Sequence, residues 1–222
     1  MRLGESTVTD DAEGDVTGTT DASGIDDAAI LAAMTRQTGE IQQVPTAVSA
    51  IKINGQRAYA KVRAGEDVVL QPRAVTVSRF EATETRRHDE VIDVDVEVTC
   101  SSGTYVRALA RDVGADLGVG GHLTALRRTR IGPFDLTAAC PDIFADDADA
   151  PAPMTMAEAA RLSFPVVEVT DDQEAAIRVG RRVDMIVPAD VTAMIAGTGE
   201  MLALYRPDDE RRGQSRAICV LV

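Results

Sequence analysis

The sequence has 222 residues, enough for one large domain or for one domain with a small module. Hydrophobic residues make up 45% of it and aromatic residues only 3%, so its core must rest on aliphatic side chains. No apolar run approaches the roughly 20 residues of a membrane span, and the three cysteines include no Cys-x-x-Cys pair. The sequence therefore indicates neither a membrane-spanning helix nor a disulfide framework nor a zinc site, and a cytoplasmic location is expected.

The net charge of −13 argues against a polyanionic partner, but the charge is unevenly distributed. Residues 1–40 are strongly acidic, whereas residues 45–80 carry six lysines or arginines against two acidic residues. Residues 101–140 carry five arginines against three aspartates. Because salt confines charge effects to about 10 Å, an acidic protein can still hold a nucleic acid locally. The alternative is that both segments are solvated faces.

The first regular element predicted is a helix over Asp26–Thr38, capped by its first residue and ended by a glycine. Residues 40–65 are expected to form an irregular, functional loop, because Pro, Asn and Gly interrupt every pattern there. Val91–Cys100 alternates apolar and acidic residues, which predicts a strand with one solvated face. A neighbouring antiparallel strand is predicted over Val75–Phe80.

A second helix is predicted from Ser102 to about Leu117, where apolar residues recur at helical spacing. Arg107 and Arg111 are four residues apart and therefore share one face of it. A strand over residues 127–134 is expected to follow.

The last third of the chain has the pattern of a separate small module. Residues 145–153, rich in Asp, Ala and Pro, are typical of a linker. Capping boxes at Thr155 and Thr170 each predict a short helix. Short apolar strands after residue 165 then predict a small β-barrel-like unit.

The most informative segment reads Cys-Ser-Ser-Gly-Thr-Tyr-Val-Arg over residues 100–107 and continues through Gly-Gly-His-Leu at 120–123. It predicts a strand, a glycine turn and a helix start, where free amide groups and the helix dipole favour anions. An arginine there can hold a carboxylate or a phosphate through two hydrogen bonds. A structural salt bridge explains the pattern equally well. His88 and His122 stand alone and no glycine-rich nucleotide loop is present, so neither a metal nor a nucleotide cofactor is predicted.

This segment resembles the signature of TruB-type tRNA pseudouridine synthases. Gln43–Tyr59, which reads Gln-Val-Pro-Thr-Ala-Val-Ser-Ala-Ile-Lys-Ile-Asn-Gly-Gln-Arg-Ala-Tyr, resembles the thumb insertion with which that family grips RNA. Arg2–Gly4 and Thr9–Gly14 also match, and the similarity runs in order through nearly the whole chain. The last 55 or so residues are similar to a PUA-like RNA-binding module.

The resemblance implies isomerisation of uridine 55 in the T-arm of tRNA, a reaction that needs no cofactor. The C1′–N1 glycosidic bond breaks, the uracil turns, and it is rejoined through C5. By similarity, Arg107 pairs with the catalytic aspartate and Tyr105 lies beside the flipped base as the proton acceptor. The candidate substrate-binding residues are Leu126, which lines the base pocket, and Lys52, Arg57, Tyr59, Arg127 and Arg128.

The family's catalytic aspartate lies in a Gly-His-x-Gly-Thr-Leu-Asp-Pro motif that the 222 residues do not contain. We therefore expect a fragment that begins inside a family strand, through either a misassigned start or a real truncation. The 222-residue chain is expected to be inactive, with Arg107 an unpaired cation. Asp10 and Asp11 lie in the family's Thr-Asp turn and are not assigned the catalytic role.

The expected fold is α+β: a mixed, mostly antiparallel pseudouridine-synthase sheet with flanking helices, plus a small C-terminal PUA-like β-rich module. A synthase core is expected at 1–145, with the thumb-like insertion at about 40–65. A linker and short helix are expected at 146–164 and the module at 165–222. The expected partner is the tRNA T-arm, bound by a monomer that contacts no membrane. A catalytically inactive T-arm binder and an unrelated acidic domain are the alternatives.

Overall fold

The computed structural model describes residues 1–46, 52–53, 56–57, 70–139 and 152–222. The chain divides into two compact units, Met1–Arg127 and Arg128–Val222. The helices are α1 (Asp27–Arg36), α2 (Val106–Asp116), α3 (Met156–Ser163) and α4 (Asp171–Arg178), with a 3-10 turn at Leu136–Ala138. The strands are β1 (Arg2–Leu3), β2 (Glu5–Thr7), β3 (Val16–Thr19), β4 (Gly39–Gln43), β5 (Lys52–Ile53), β6 (Gln56–Arg57), β7 (Arg73–His88), β8 (Val91–Cys100), β9 (Gly121–His122), β10 (Arg130–Ile131), β11 (Phe134–Asp135), β12 (Val166–Glu168), β13 (Thr192–Ile195), β14 (Met201–Pro207) and β15 (Ser215–Val220).

An antiparallel five-stranded sheet in the order β4-β7-β8-β1-β9 organises the first unit. β7 and β8 form a long hairpin, and β8 is the strand that its alternating sequence predicts. Ile92 and Val94 are fully buried, while Asp95 on the opposite face binds Arg86 at 2.7 Å. An antiparallel sheet flanked by helices confirms the predicted α+β class.

Helices α1 and α2 pack against this sheet and complete its core. Ile30 of α1, together with Leu109 and Val113 of α2, is almost fully buried in the apolar cluster. Burial of such a side chain stabilises the fold by about 1.5–3 kcal/mol. The predicted cap of α1 is confirmed, because the Asp26 carboxylate accepts the Ala29 N–H at 2.8 Å. The apolar faces anchor both helices, which leaves the polar face of α2 to form a site.

Helix α2 crosses β9 with backbone against backbone. A Cβ atom at Gly114 would collide with the backbone of Gly120 and Gly121, and one at Gly121 would collide with the carbonyl of Ala110. Glycine permits this approach because it has no side chain, and the Gly120 N–H donates to the Gly114 carbonyl at 3.0 Å. The helix that carries Arg107 is thereby held close to β9.

Three elements of the first unit differ from the sequence-based expectation. Residues 39–43, of which 40–43 were expected to be irregular, form the edge strand β4, whose polar side chains resemble those of a loop. β7 has 16 residues rather than six, because pairing continues through 81–88 where no side chain is fully buried and no apolar alternation marks it. α2 begins at Val106 rather than near Ser102, because Gly103, with φ of 87°, keeps the preceding turn non-helical.

The second unit is built on a mixed sheet in the order β12-β13-β14-β15, in which β12 and β13 are parallel and the other pairs antiparallel. The predicted capping boxes at Thr155 and Thr170 are confirmed at the starts of α3 and α4. A separate apolar core surrounds the fully buried Tyr205, whose hydroxyl donates to the Arg181 carbonyl at 2.6 Å. The strand expected over 127–134 is instead the short hairpin β10–β11, which turns at Gly132.

The junction between the expected core and module is only partly described. Residues 140–151, which include most of the expected linker, lie outside the described residues. α3, expected beside that linker, packs through Ala160 against Ala193 and Met201 of the second unit's sheet. The expected domain boundaries and the PUA-like character of the module stay predictions. None of the described helices is both long enough and apolar enough to cross a membrane.

Candidate functional site

Two arginines on one face of α2 meet two aspartates of the turn that joins β2 to β3. Arg107 Nη1 donates to Asp11 Oδ2 at 2.6 Å, and Arg111 Nη1 donates to Asp10 Oδ2 at 3.2 Å. Residues four apart on a helix lie on the same face, so each arginine can reach one of two consecutive aspartates. The double ion pair fastens the first turns of α2 to the β2–β3 turn.

The β2–β3 turn presents the Asp11 carboxylate in a fixed direction. Thr9 Oγ1 donates to Asp11 Oδ1 at 2.5 Å, and the Glu13 backbone N–H donates to the same oxygen at 3.1 Å. Asp10 takes a left-handed backbone conformation, with φ of 58°, which Asp tolerates better than most residues do. One oxygen of Asp11 is therefore bound by its own turn, and the other accepts from Arg107.

The pKa values of two partly buried carboxyls in this region, those of Asp11 and Asp112, are shifted in opposite directions. Partial burial alone would raise the pKa of Asp11, but hydrogen bonds from Thr9 and Arg107 outweigh it and hold that pKa below its ordinary value. For Asp112, burial raises the pKa of the carboxyl in spite of the neighbouring Arg111. Asp11 is therefore ionised at neutral pH, as its ion pair requires.

The expectation that Arg107 would be an unpaired cation is wrong, because Asp11 binds it. Sequence reasoning placed Asp11 in a matched motif but left it out of the site, since no local pattern connects residues 96 positions apart. A chemical signal for this pair was available in the sequence. Arg107 was expected to need a carboxylate, and a second motif that resembles the family's contains acidic residues. The side chain of Arg107 is 34% exposed, so part of its five-donor guanidinium can face a ligand.

Tyr105 stands at the N-cap of α2, directly before the turn that carries Arg107, and its side chain makes no capping hydrogen bond. The Gln43 amide binds its backbone instead. Gln43 Oε1 accepts the Tyr105 N–H at 2.8 Å, and Gln43 Nε2 donates to the Tyr105 carbonyl at 3.1 Å. The sequence indicated nothing of this contact, although Gln43 opens the segment that resembles the thumb insertion.

Leu126, Arg127 and Arg128 follow β9 in a segment without regular structure. Leu126 is 60% exposed, and both arginines are exposed as well. The start of this segment is tied to the ion-paired turn, because the Leu123 N–H donates to the Asp10 carbonyl at 3.0 Å. Arg128 is the first residue of the second unit. The roles of these three residues in RNA binding stay predictions.

Beyond residue 46, the thumb-like insertion is described only at β5 and β6, where Lys52 and Arg57 are paired in register across a short antiparallel hairpin. Tyr59 lies outside the described residues. RNA binding by these residues stays a prediction.

Within the described ranges, no three His, Cys, Asp or Glu side chains come together as a metal site. The chemistry available lies in the charge pattern at the start of α2. A partly exposed guanidinium beside an ionised carboxylate can bind a phosphate or orient a second carboxylate through parallel hydrogen bonds.

Two family descriptions match consecutive parts of the chain. Residues 1–106 match the TruB family pseudouridylate synthase N-terminal domain, and residues 107–142 match the tRNA pseudouridylate synthase B C-terminal domain. The tRNA pseudouridine synthase B of Cutibacterium acnes is 83% identical over 222 residues, which are 100% of this chain and 75% of that protein. The enzyme of the same name from an Arthrobacter species is 53% identical over 186 residues, 82% of this chain and 60% of that protein.

Solved structures with the same fold are more distant in sequence. A Cbf5-Nop10-Gar1 complex contains a chain that superposes with a TM-score of 0.58 at 24% identity, covering 89% of this chain and 61% of that one. An H/ACA ribonucleoprotein bound to a substrate RNA containing 2′-deoxyuridine gives a TM-score of 0.54 at 22% identity, covering 88% and 60%. At these identities the similarity concerns the fold alone.

Proposed function

This chain belongs to the TruB family of pseudouridylate synthases, and from that membership we propose that it serves a tRNA isomerase that converts uridine 55 of the T-arm to pseudouridine. The observation that carries the proposal is the Arg107–Asp11 ion pair at the start of α2. Both of its members lie in motifs that resemble the family's signature, although they are far apart in the sequence.

In the proposed reaction Arg107 orients the nucleophilic carboxylate. Asp11 accepts from one end of the guanidinium at 2.6 Å and fixes its plane, so further N–H groups can hold a second carboxylate beside the base. The C1′–N1 bond breaks, the uracil turns, and a C1′–C5 bond forms. The proton lost from C5 passes to a base, for which Tyr105 is the candidate, and N1 gains one. The nucleotide keeps its composition, and no cofactor is needed.

The 222 residues do not supply the family's nucleophile by motif, since they contain no Gly-Thr-Leu-Asp-Pro. A second candidate function is that of a catalytically inactive binder of the T-arm. Both candidates share the same RNA and the same Arg107–Asp11 pair, and they differ only in turnover.

We assign RNA binding to two regions. Lys52 and Arg57 of the thumb-like insertion would contact phosphates, which dominate nucleic-acid affinity. In the second unit, Arg206 and Arg216 are opposite each other on β14 and β15, and each approaches Asp209, at 3.6 and 3.7 Å. Two cations sharing one carboxylate leave a net positive charge for a phosphate. We further propose that the protein is a monomer and acts in the cytoplasm, where tRNA is found.

Tritium release from tRNA labelled at C5 of uridine tests turnover directly. The 222-residue chain should bind a T-arm stem-loop and release no tritium, and a longer protein that carries the Gly-Thr-Leu-Asp-Pro segment should release it. In that longer protein Arg107→Ala should remove most activity and keep much of the affinity, with Arg79→Ala on the solvated hairpin as the control. Absence of RNA binding by wild type would refute the proposal, and turnover by the 222 residues alone would assign the nucleophile to them.

A further inference from the structure

Gln43 is an unusually buried polar residue for an edge strand. It is the last residue of β4 and only 2% exposed, whereas its neighbour Gln42 is exposed. A buried amide is tolerated when its donor and its acceptor are both satisfied. Tyr105 satisfies both, through its N–H at 2.8 Å and its carbonyl at 3.1 Å. The side chain of Gln43 thus makes the two bonds that a neighbouring strand would make.

This contact lies at the point where the direction of α2 is set. Tyr105 is the N-cap residue, and its carbonyl accepts the Leu109 N–H at 3.3 Å in the first helical turn. Two hydrogen bonds to the backbone of one residue restrict rotation on both sides of its Cα. The direction of the Tyr105 side chain, and of Arg107 one half-turn later, therefore depends on Gln43.

The next residue makes a second bond to the same helix. The Val44 carbonyl accepts from Arg111 Nη2 at 2.8 Å, and Arg111 also binds Asp10. The chain that leads into the thumb-like insertion is thus bound to α2 at Tyr105 and again six residues later, at Arg111. These bonds join the insertion's first residues to the Arg107–Asp11 pair within one compact unit.

We propose that Gln43 is a positioning residue of the uridine site: it holds the backbone of Tyr105 so that the Tyr105 side chain faces the base while the insertion holds the RNA. The inference rests on the proposed function, because only a bound T-arm gives the Tyr105 side chain a base to face. Gln43 itself touches no substrate in this assignment. Its effect is on the presentation of the base rather than on affinity, which the basic residues supply.

The test compares the 222-residue wild type with Gln43→Met, which keeps the side-chain length and removes both hydrogen bonds, and with Gln42→Met as the matched control. Three quantities are measured: amide hydrogen exchange at Tyr105 and the first turn of α2, affinity for a T-arm stem-loop, and photocrosslinking of Tyr105 to 5-iodouridine placed at position 55. Exchange in α1 serves as the check that the unit is folded.

In Gln43→Met we expect exchange at Tyr105 to be at least tenfold faster and the crosslink yield to fall at least fivefold, while affinity stays within threefold. Gln42→Met should match wild type in all three. If Gln43→Met does not fold, Gln43→Glu carries the same test, since it keeps the acceptor for the N–H and loses the donor to the carbonyl. Its crosslink yield should fall too.

The outcomes separate the two claims. An unchanged crosslink yield in the Gln43 variant, an unchanged exchange rate in Gln43→Met, or a wild type that binds the RNA without crosslinking at Tyr105 overturns the positioning role and leaves RNA binding in place. A wild type that does not bind the stem-loop overturns the proposed function and, with it, the assignment of Gln43 to a uridine site.

Discussion

Replacing Asp11 by asparagine removes the negative charge that binds Arg107 and leaves the size of the side chain almost unchanged. A hydrogen bond to a charged group contributes about 1.5–3 kcal/mol to stability. Because the Arg107 side chain is 34% exposed, water replaces part of that bond in the variant, and we expect a loss of about 1–2 kcal/mol. The bonds from Thr9 and the Glu13 N–H can still be made by the amide oxygen, so the turn itself should persist.

The effect should depend on pH in a defined direction. The pKa of Asp11 in the folded chain lies below its ordinary value of 3.8, so the ionised form is the one that folding favours. Its contribution is fully present above the ordinary pKa and is lost as pH falls through the lower, folded pKa. The difference between wild type and Asp11→Asn should therefore be constant from about pH 6 to 8 and shrink below about pH 4.

Urea denaturation followed by circular dichroism, repeated across this pH range, measures the difference. Glu13→Gln is the matched control, because it removes an exposed carboxylate from the same turn and keeps the backbone N–H that binds Asp11. Equal stabilities of wild type and Asp11→Asn at pH 7, or a difference that persists unchanged at pH 3, would refute the reasoning.

Three further predictions follow from the fold. The double variant Lys52→Ala with Arg57→Ala should weaken T-arm binding and flatten its dependence on salt in gel-shift titrations. An unchanged affinity and salt dependence would mean that these two residues do not contact the RNA. Leu109→Ala should lower the free energy of unfolding by about 2–5 kcal/mol, because a fully buried side chain leaves a cavity; a loss below about 1 kcal/mol in urea titrations would contradict that packing. A fragment of residues 1–127 should melt cooperatively. A fragment of residues 1–164 should be more sensitive to protease than the 1–127 fragment, because it ends before the sheet against which α3 packs.

Local patterns predicted the elements whose cause is local. The alternation in β8, the Asp26 cap and the capping boxes at Thr155 and Thr170 each depend on residues within one element, and all are present. The edge strand β4 was missed because its pairing partner is β7, and its own side chains are those of a loop. The resemblance predicted Arg107 for the site, but its partner and the contact of Gln43 with Tyr105 depend on chain segments brought together by the sheet.

The crossing of α2 over β9 at Gly114, Gly120 and Gly121 has a consequence for what this fold can tolerate. Side chains that pack against one another can exchange rotamers and absorb a mutation, whereas two backbones in contact have no such freedom. Even alanine at Gly114 would lift the helix away from the strand, and Arg107 would move with it, although no residue near the ion pair had changed. We infer that this crossing fixes the distance between α2 and β9. A methyl group added there would therefore move Arg107 without changing the chemical groups of the site.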